Sequence, residues 1–185
     1  MIPIPFLQGQ VYKRSRIHER FGGNPQSGIS TCRDFIFIFS GRSGVQHGYR
    51  DQWENPDVFS YTGEGQVGDM KFTRGNLALR DHLKSGRRVL LFVQDARSFV
   101  RYESELEFLD FDYFLTTARD GKERRGIKFF FKRAGASLNY PIDQVHSALW
   151  LETGGQYVPD LPNTTERSGL VTSRVGQGAY RKSIL

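Results

Sequence analysis

The stretch "SFVRYESELEFLDFDYFLTTARDGKERRGIKFFFKR" (residues 98–133) decides the fold, because it predicts consecutive antiparallel strands. Residues 98–120 alternate between apolar and polar side chains for much of their length, which predicts two strands of a meander. The charged segment RDGKERRG (119–126) predicts a hairpin turn, and IKFFFKR (127–133) predicts the strand that returns from it. We therefore expect a mainly antiparallel sheet.

Three further segments extend this sheet. DFIFIFSG (34–41) and RRVLLFVQ (87–94) are apolar runs of strand length, which predicts strands buried on both faces. DVFSYTG (57–63) alternates and predicts another strand. The sheet is expected to hold six or seven strands.

Two segments predict helices. Residues 15–23 place Ile17 and Phe21 four apart, with Ser15 as the expected cap and a glycine pair at the end. Residues 73–86 predict a second helix, whose expected inward residues are Leu77, Leu79 and Leu83. The predicted fold class is α+β, with a curved, twisted, mainly antiparallel sheet or partly open barrel and two or three helices.

Composition bounds the function. The 185 residues suit one ordinary domain, and aromatic residues reach 14%, which predicts an aromatic core. The net charge of +6 makes nucleic acid the first candidate partner, although plain solubility explains it equally well. Cys32 is the single cysteine, which favours a reducing compartment, the cytoplasm. No apolar run is long enough for a membrane span, so we expect no membrane partner.

The residue patterns of common catalytic and metal sites are missing from the sequence. The four histidines are scattered, with neither an HxxxH nor a CxxC spacing, so no metal site is expected. GEGQVG (63–68) lacks the GK[ST] ending of a nucleotide-binding P-loop. We expect no catalytic residues and no cofactor within this chain.

The segment GYRDQWENPDVFSYTGEGQVGDM (48–70) sets two tyrosines beside a carboxylate among turn formers. Tyr49 and Tyr61 lie twelve residues apart, and Asp51 follows the first closely. Two rings and a carboxylate suit a slot for a flat heterocycle with an exocyclic amino group, as cytosine offers. Core aromatics on adjacent strands explain the same spacing, and spacing alone favours that second interpretation.

The same segment resembles the SRA (SET- and RING-associated) domain of modified-cytosine readers, which carries a "GGYEDD…FTYTGSGG" pattern with the same tyrosine spacing. Downstream, FTRGNLALRDHLKSGRRVLLF (72–92) resembles the family's "TNRALA…SGKPVRVVR", and FLDFDYF (108–114) stands where the family has "YDGIYKV". The resemblance implies an SRA/PUA-like fold that binds duplex DNA carrying 5-methylcytosine or 5-hydroxymethylcytosine and flips the modified base out of the helix.

The resemblance also implies roles for individual residues. Tyr49 and Tyr61 would sandwich the base, Gly48 would allow close backbone approach, and Thr62 would lie beside the pocket. The family's base-reading acid falls at Gln52, one residue after Asp51, so either residue is a candidate for the contact to the amino group. Gln26 and Ser27 are candidates for a loop that fills the gap left by the base, with an ordinary surface turn as the equal alternative. The phosphate-binding candidates are Arg33, Arg42, Arg74, Arg80, Lys84, Arg87 and Arg88.

The C-terminal segment SRVGQGAYRKSIL (173–185) resembles the lead-in to the HNH nuclease domain of bacterial modification-dependent restriction endonucleases. The expected organisation is an SRA-like domain over 1–135, an extension and linker over 136–170, and the start of an incomplete HNH region over 171–185. The resemblance implies a bacterial, cytoplasmic endonuclease that forms a homodimer, with a divalent metal in a nuclease domain beyond Leu185. For residues 173–185 the alternative is a C-terminal helix that packs on the domain. For the function two alternatives stay open: another DNA modification, such as a phosphorothioate or a glucosylated base, and a domain that binds a small ligand or a protein.

Overall fold

A computed structural model describes residues 2–41 and 51–137, and within them the chain forms eight strands and three helices. The elements are β1 (Val11–Lys13), α1 (Arg14–Phe21), β2 (Ile29–Thr31), β3 (Phe35–Ser40), β4 (Gln52–Trp53), β5 (Val58–Thr62), α2 (Arg74–Arg80), α3 (His82–Ser85), β6 (Arg88–Ala96), β7 (Phe99–Thr117) and β8 (Glu123–Arg133). None of these helices has the length and apolarity that crossing a membrane requires.

All eight strands belong to one sheet in the order β2-β3-β6-β7-β8-β5-β4, with β1 added beside β7. Every pairing is antiparallel except β3 with β6, which is parallel. Over the described residues the sheet is open rather than closed. The predicted fold class is therefore confirmed: a mainly antiparallel sheet with three helices.

The central strands β3 and β6 bury both of their faces. Ile36 and Ile38 of β3 point into one core cluster, whereas Phe35, Phe37 and Phe39 point into a second cluster on the other side. The second cluster is aromatic, and Phe6 from the N-terminal segment lies at its centre, with its ring 5.0–6.0 Å from five other rings. The apolar run of residues 34–41 follows from this two-sided burial, as the sequence predicts.

The prediction of two strands over residues 98–120 is wrong, because β7 is one strand of 19 residues. Its pairing with β8 shifts register between Phe108 and Asp110, so a bulge interrupts the strand there without dividing it in two. The actual turn is confined to residues 118–122, since Thr117 already pairs with Glu123. Alternation that breaks at one position is typical of a bulge as well as of a turn, and the sequence pattern did not separate them.

Helix α1 begins at Arg14, and Lys13 rather than the predicted Ser15 precedes it. The helix buries Ile17 against the aromatic cluster, as predicted. Its end is also as predicted, because Gly22 adopts a positive φ of 78° that favours glycine.

The segment 73–86 forms two short helices that break at Asp81, instead of one helix. Leu77 and Leu83 are 38% and 47% exposed, so the predicted inward face is wrong for both. Leu79 is buried as predicted, and the buried polar residues Asn76 and His82 share its side of the segment. The prediction assumed that every leucine faces the core. In the structure Asn76 and His82 are buried because their side chains form hydrogen bonds with backbone groups of other segments.

His82 shows how these bonds hold α3 to the sheet. Its Nδ1 lies 3.0 Å from the carbonyl oxygen of Arg87, and its Nε2 accepts a hydrogen bond of 2.9 Å from the N–H of Phe108. This arrangement requires the neutral ring with the proton on Nδ1, and burial lowers the pKa of His82 accordingly.

Substituting Gly126 tests the packing between β7 and β8. Gly126 lies opposite Phe114, and a Cβ there would lie 2.6 Å from the Phe114 ring. We expect Gly126→Ala to lower the free energy of unfolding by about 1–3 kcal/mol in urea titrations, because the ring must shift. In a Phe114→Ala background the same change is expected to be nearly neutral. An equal loss in both backgrounds would contradict this packing.

Candidate nucleic-acid interface

A polar cluster lies where β5 ends. The Asp51 carboxylate accepts a hydrogen bond of 2.8 Å from the backbone N–H of Thr62 and is also hydrogen-bonded to the hydroxyl of Ser40. Thr62 pairs with Lys128 of β8, whose ammonium lies near the same carboxylate. Tyr61, the preceding residue of β5, lies close enough to Asp51 to be affected by its charge. The structure therefore brings together Asp51, Tyr61 and Thr62, three of the predicted pocket residues.

Burial governs the charges in this cluster. It raises the pKa of the Asp51 carboxyl, and the Thr62 N–H and the Lys128 ammonium offset that effect in part. Burial also raises the pKa of Tyr61 well above its usual value, and the negative charges of Asp51 and Glu64 add to the effect. Tyr61 is thus a neutral phenol at any physiological pH, beside a carboxylate that is held in a poorly solvated place.

Tyr61 itself is 4% exposed and belongs to the core cluster that includes Phe129, its partner in β8. Gly28 approaches its hydroxyl so closely that a Cβ at Gly28 would lie 2.9 Å from the oxygen. In this structure the ring offers no open face to a ligand. A ligand can stack on it only after the neighbouring chain shifts.

The other predicted pocket residues are placed differently. Gln52 lies on β4 opposite Ser60, and its side-chain amide donates a hydrogen bond of 3.4 Å to the Glu54 carboxylate. Gly48 and Tyr49 lie outside the described residues, as does Arg42 among the predicted phosphate contacts.

Asn76 fixes the segment that follows Tyr61 and Thr62. Its Oδ1 accepts from the N–H of Glu64 at 2.8 Å, while its Nδ2 donates to the carbonyl oxygens of Glu64 at 2.8 Å and Lys71 at 3.0 Å. The side chain is 1% exposed. Because it binds both backbone groups of Glu64, the end of β5 is locked to the first turn of α2.

Two arginine side chains donate hydrogen bonds to the backbone of the neighbouring loops. The Arg124 guanidinium donates to the carbonyl oxygens of Gly65 at 2.9 Å and Gly68 at 3.2 Å. Arg14 donates to the carbonyl oxygen of Ser27 at 2.6 Å, and its guanidinium lies 3.8 Å from the centre of the Phe39 ring. The half-buried Arg14 therefore holds the backbone of loop 24–28, and the buried Arg124 holds that of the segment 63–68.

A groove of about 1100 Å³ separates the loop 24–28 from helices α2 and α3. The predicted loop residues Gln26 and Ser27 line one wall. Arg74 and Arg87, two of the predicted phosphate contacts, line the other.

Sequence comparison identifies the family. The chain matches the family model described as "ScoMcrA-like, SRA domain" over residues 8–149. The chain belongs to the ScoMcrA-like SRA domain family. No curated protein matches the sequence.

Solved structures share the fold of this SRA domain. The sulfur-binding and SRA domains of ScoMcrA with phosphorothioated DNA align with a TM-score of 0.57 and 21% identity, over 76% of this chain and 44% of that one. The phosphorothioation-dependent restriction endonuclease ScoMcrA aligns with a TM-score of 0.59 and 21% identity, over 97% of this chain and 42% of that one. The SUVH5 SRA domain with methylated CHH DNA aligns with a TM-score of 0.53 and 23% identity, over 74% of this chain and 94% of that one. The chain thus spans less than half the length of the ScoMcrA structures.

Some of the predicted phosphate-binding residues of the SRA domain form ion pairs with carboxylates of the same chain. Arg80 pairs with Asp81 at 2.9 Å, and Arg88 pairs with Glu105 at 2.6 Å, with each arginine side chain 19% exposed. Such ion pairs hold the fold together and leave little charge for a ligand. Arg33, Arg74 and Lys84 are exposed and Arg87 is partly exposed, and the Lys84 ammonium lies 3.9 Å from the Asp81 carboxylate.

Sequence reasoning gave no role to Glu64, Asn76, Arg14 and Arg124, although they organise the interface. Asn76 stood in a segment that resembles the family, which was the one available signal. The partners of the two arginines are backbone carbonyls far along the chain, and such contacts leave no trace in residue spacing.

Asn76→Ala tests whether this residue holds the interface together. We expect the free energy of unfolding to fall by about 2–4 kcal/mol, because buried backbone groups of Glu64 and Lys71 lose their partners. Leu77→Ala, at the neighbouring exposed position, is the matched control and is expected to change stability by about 0.5 kcal/mol or less. Similar losses for both variants would contradict the role of Asn76.

Asp51→Asn tests the state of the buried carboxylate. The asparagine oxygen still accepts from the Thr62 N–H, but residue 51 no longer brings a negative charge into the poorly solvated cluster. Because the folded protein raises the pKa of Asp51, protonation favours folding, and this contribution is lost as the pH rises through that pKa. The variant should therefore equal or exceed the wild type in unfolding free energy at pH 7, with a smaller gap at pH 5. If the unfolding free energy of the variant relative to wild type were lower at pH 7 than at pH 5, the expected state of Asp51 would be contradicted.

Proposed function

We propose that this SRA domain binds duplex DNA and recognises 5-methylcytosine or 5-hydroxymethylcytosine by flipping the base out of the helix. The observation that carries the proposal is the convergence of Tyr61, Thr62 and the Asp51 carboxylate at the end of β5. An aromatic ring beside a poorly solvated carboxylate suits a flat base with an exocyclic amino group.

Asp51, rather than Gln52, is the better candidate for the contact to the amino group of cytosine. The Asp51 carboxylate accepts from the Thr62 N–H, whereas the Gln52 amide donates to Glu54. A carboxylate also accepts more strongly than an amide, because charge-assisted hydrogen bonds are roughly twice as strong as neutral ones. The raised pKa of Asp51 is consistent with a group that gains a donor when the base arrives.

Stacking on aromatic rings offsets the cost of flipping the base. Unstacking the base costs a few kcal/mol, and each aromatic stack returns about 1–3 kcal/mol. Tyr61 supplies one ring, and Tyr49 is proposed as the other. Because Tyr61 is 4% exposed, the base must displace neighbouring chain as it enters, which makes binding slower and more selective for bases that fit.

The groove beside loop 24–28 is the proposed path of the DNA. Its volume of about 1100 Å³ and the side chains of Arg74 and Arg87 suit a phosphate backbone, with Arg33 and Lys84 exposed nearby in sequence. Gln26 and Ser27 on the opposite wall are the proposed gap-filling residues. Affinity from such contacts falls steeply with salt.

A second candidate is recognition of a phosphorothioate. Both ScoMcrA structures are described by their phosphorothioate ligand or dependence, which favours testing this mark. In one of them a sulfur-binding domain is named separately from the SRA domain, and this chain matches the SRA family. Base recognition therefore stays the first proposal.

The wider protein is proposed to be a bacterial, cytoplasmic modification-dependent restriction endonuclease that works as a homodimer. This rests on the resemblance of residues 173–185 to the lead-in of an HNH nuclease. The proposed extension and HNH regions, 136–170 and 171–185, fall almost wholly outside the described residues.

The test is a binding panel with matched variants of Tyr61. Fluorescence anisotropy would compare duplexes that carry cytosine, 5-methylcytosine, 5-hydroxymethylcytosine or a phosphorothioate across a salt series. We expect Tyr61→Phe to keep the preference for modified cytosine, because the ring remains. Tyr61→Leu replaces the ring with a smaller aliphatic side chain and is expected to lose that preference by about tenfold or more. Tyr49→Leu should behave like Tyr61→Leu.

Base flipping is followed with 2-aminopurine placed next to the modified cytosine. Its fluorescence is expected to rise when the wild-type domain binds and to stay low with Tyr61→Leu. Preference for the phosphorothioate duplex over both modified-cytosine duplexes would favour the second candidate. Equal losses on modified and plain DNA for Tyr61→Leu would mean that Tyr61 is structural.

A further inference from the structure

Glu64 connects three elements that surround the proposed interface. Its Oε2 accepts a hydrogen bond of 3.2 Å from the hydroxyl of Ser27 in loop 24–28. Its Oε1 accepts one of 2.9 Å from the backbone N–H of Gly75 in α2. Its own backbone follows β5 by two residues, so one carboxylate ties the loop to the helix and to the end of the pocket strand.

The geometry leaves Glu64 little freedom. Asn76 binds both of its backbone groups, and the Gly75 backbone comes so near that a Cβ there would lie 2.7 Å from Oε1. Because both oxygens are hydrogen-bonded and the main chain is fixed, the carboxylate is a fixed hydrogen-bond acceptor for the hydroxyl of Ser27.

The charge of Glu64 argues against a role in affinity. It lines the groove that also carries Arg74 and Arg87, where a carboxylate repels phosphate groups. Because Glu64 weakens attraction for DNA, we look for its role in the placement of neighbouring residues. The position is informative, because Gly28 of the same loop lies against the hydroxyl of Tyr61.

We propose that Glu64 is a positioning residue that sets loop 24–28 against the pocket, so that entry of a base beside Tyr61 and insertion of the loop into the duplex occur together. This inference rests on the proposed DNA-binding function. Arg14 holds the loop backbone at the Ser27 carbonyl, and Glu64 holds its side chain, so loss of the Glu64 contact leaves the loop attached but free to tilt.

Three variants test the proposal on full-length chain. Ser27→Ala removes the hydroxyl, which also accepts from the backbone N–H of Ile29 at 3.3 Å, and leaves the contacts of Glu64 to Gly75 and of Arg14 to the loop. Glu64→Ala removes the carboxylate that accepts from Ser27 and Gly75. Glu64→Gln removes the charge but keeps the geometry, because its amide oxygen accepts from Gly75 and its amide nitrogen donates to the Ser27 oxygen. Ser104→Ala, a hydroxyl deletion on β7 away from the groove, is the control.

The readout is the ratio of affinities for 5-methylcytosine and plain duplexes, measured across a salt series. We expect Ser27→Ala and Glu64→Ala to lower the ratio about tenfold, the effect of losing one charge-assisted hydrogen bond. Glu64→Gln is expected to keep the ratio while it binds both duplexes more tightly and with a steeper salt dependence. Ser104→Ala should match the wild type in both respects.

The outcomes separate the two proposals. A wild-type chain with no preference for modified cytosine refutes the proposed function, and the coupling by Glu64 falls with it. A wild-type chain that discriminates, with a Ser27→Ala variant that discriminates equally and melts normally, refutes the coupling alone. A Glu64→Gln variant that loses the ratio as Glu64→Ala does shows that charge, and not position, is what Glu64 provides, and this also refutes the inference.

Discussion

Burial of β3 and β6 on both faces is the constraint on which the rest of the structure depends. A strand that is covered on two sides cannot carry a polar face, and it needs a layer of side chains above and below it. The N-terminal segment and α1 supply the layer on one side, through Phe6 and Ile17. On the other side the residues of β5, β8 and α2 supply it, and Tyr61 is one of them. The candidate site is therefore built on the rim of a core and not on a free loop.

This origin explains the properties of the polar cluster at the end of β5. Asp51 is close to the apolar layer, so its carboxylate is poorly solvated and depends on a few donors in fixed positions. Ser40 ends β3 and Thr62 ends β5, and both strands are buried at every position, so the two donors come from elements that cannot easily move. The groups of this cluster are therefore held in fixed positions, and any adjustment must lie in the adjoining loops.

The parts of the fold that follow from side-chain burial were predictable from sequence. The apolar runs of β3 and β6 and the glycine end of α1 gave correct elements, because each is caused by residues within a few positions. The bulge in β7, the break at Asp81 and the exposure of Leu77 and Leu83 were not predictable, since each depends on partners far along the chain. His82 is the clearest example, because its orientation is set by a backbone N–H on β7.

The candidate site divides in the same way. Tyr61, Thr62 and Asp51 were found by spacing and resemblance, and the structure places them together. Asn76 and Glu64 were missed as organisers, because a hydrogen bond between a side chain and a distant main chain has no periodic signature. Arg80 and Arg88 show the converse: a positive residue in a promising segment is engaged by an internal carboxylate that sequence does not reveal.

The parallel pairing of β3 with β6 has a consequence for biosynthesis. The run FIFIF leaves the ribosome before β4, β5, α2 and α3, and all of these must be made before β6 arrives to cover its edge. In that interval β2 is its one available neighbour on the sheet path, and an uncovered aromatic strand is prone to pair with other chains. The nascent domain thus passes through a period of vulnerability to aggregation whose length is set by translation speed, and slower synthesis or heavy overexpression prolongs the exposure of that strand to other molecules.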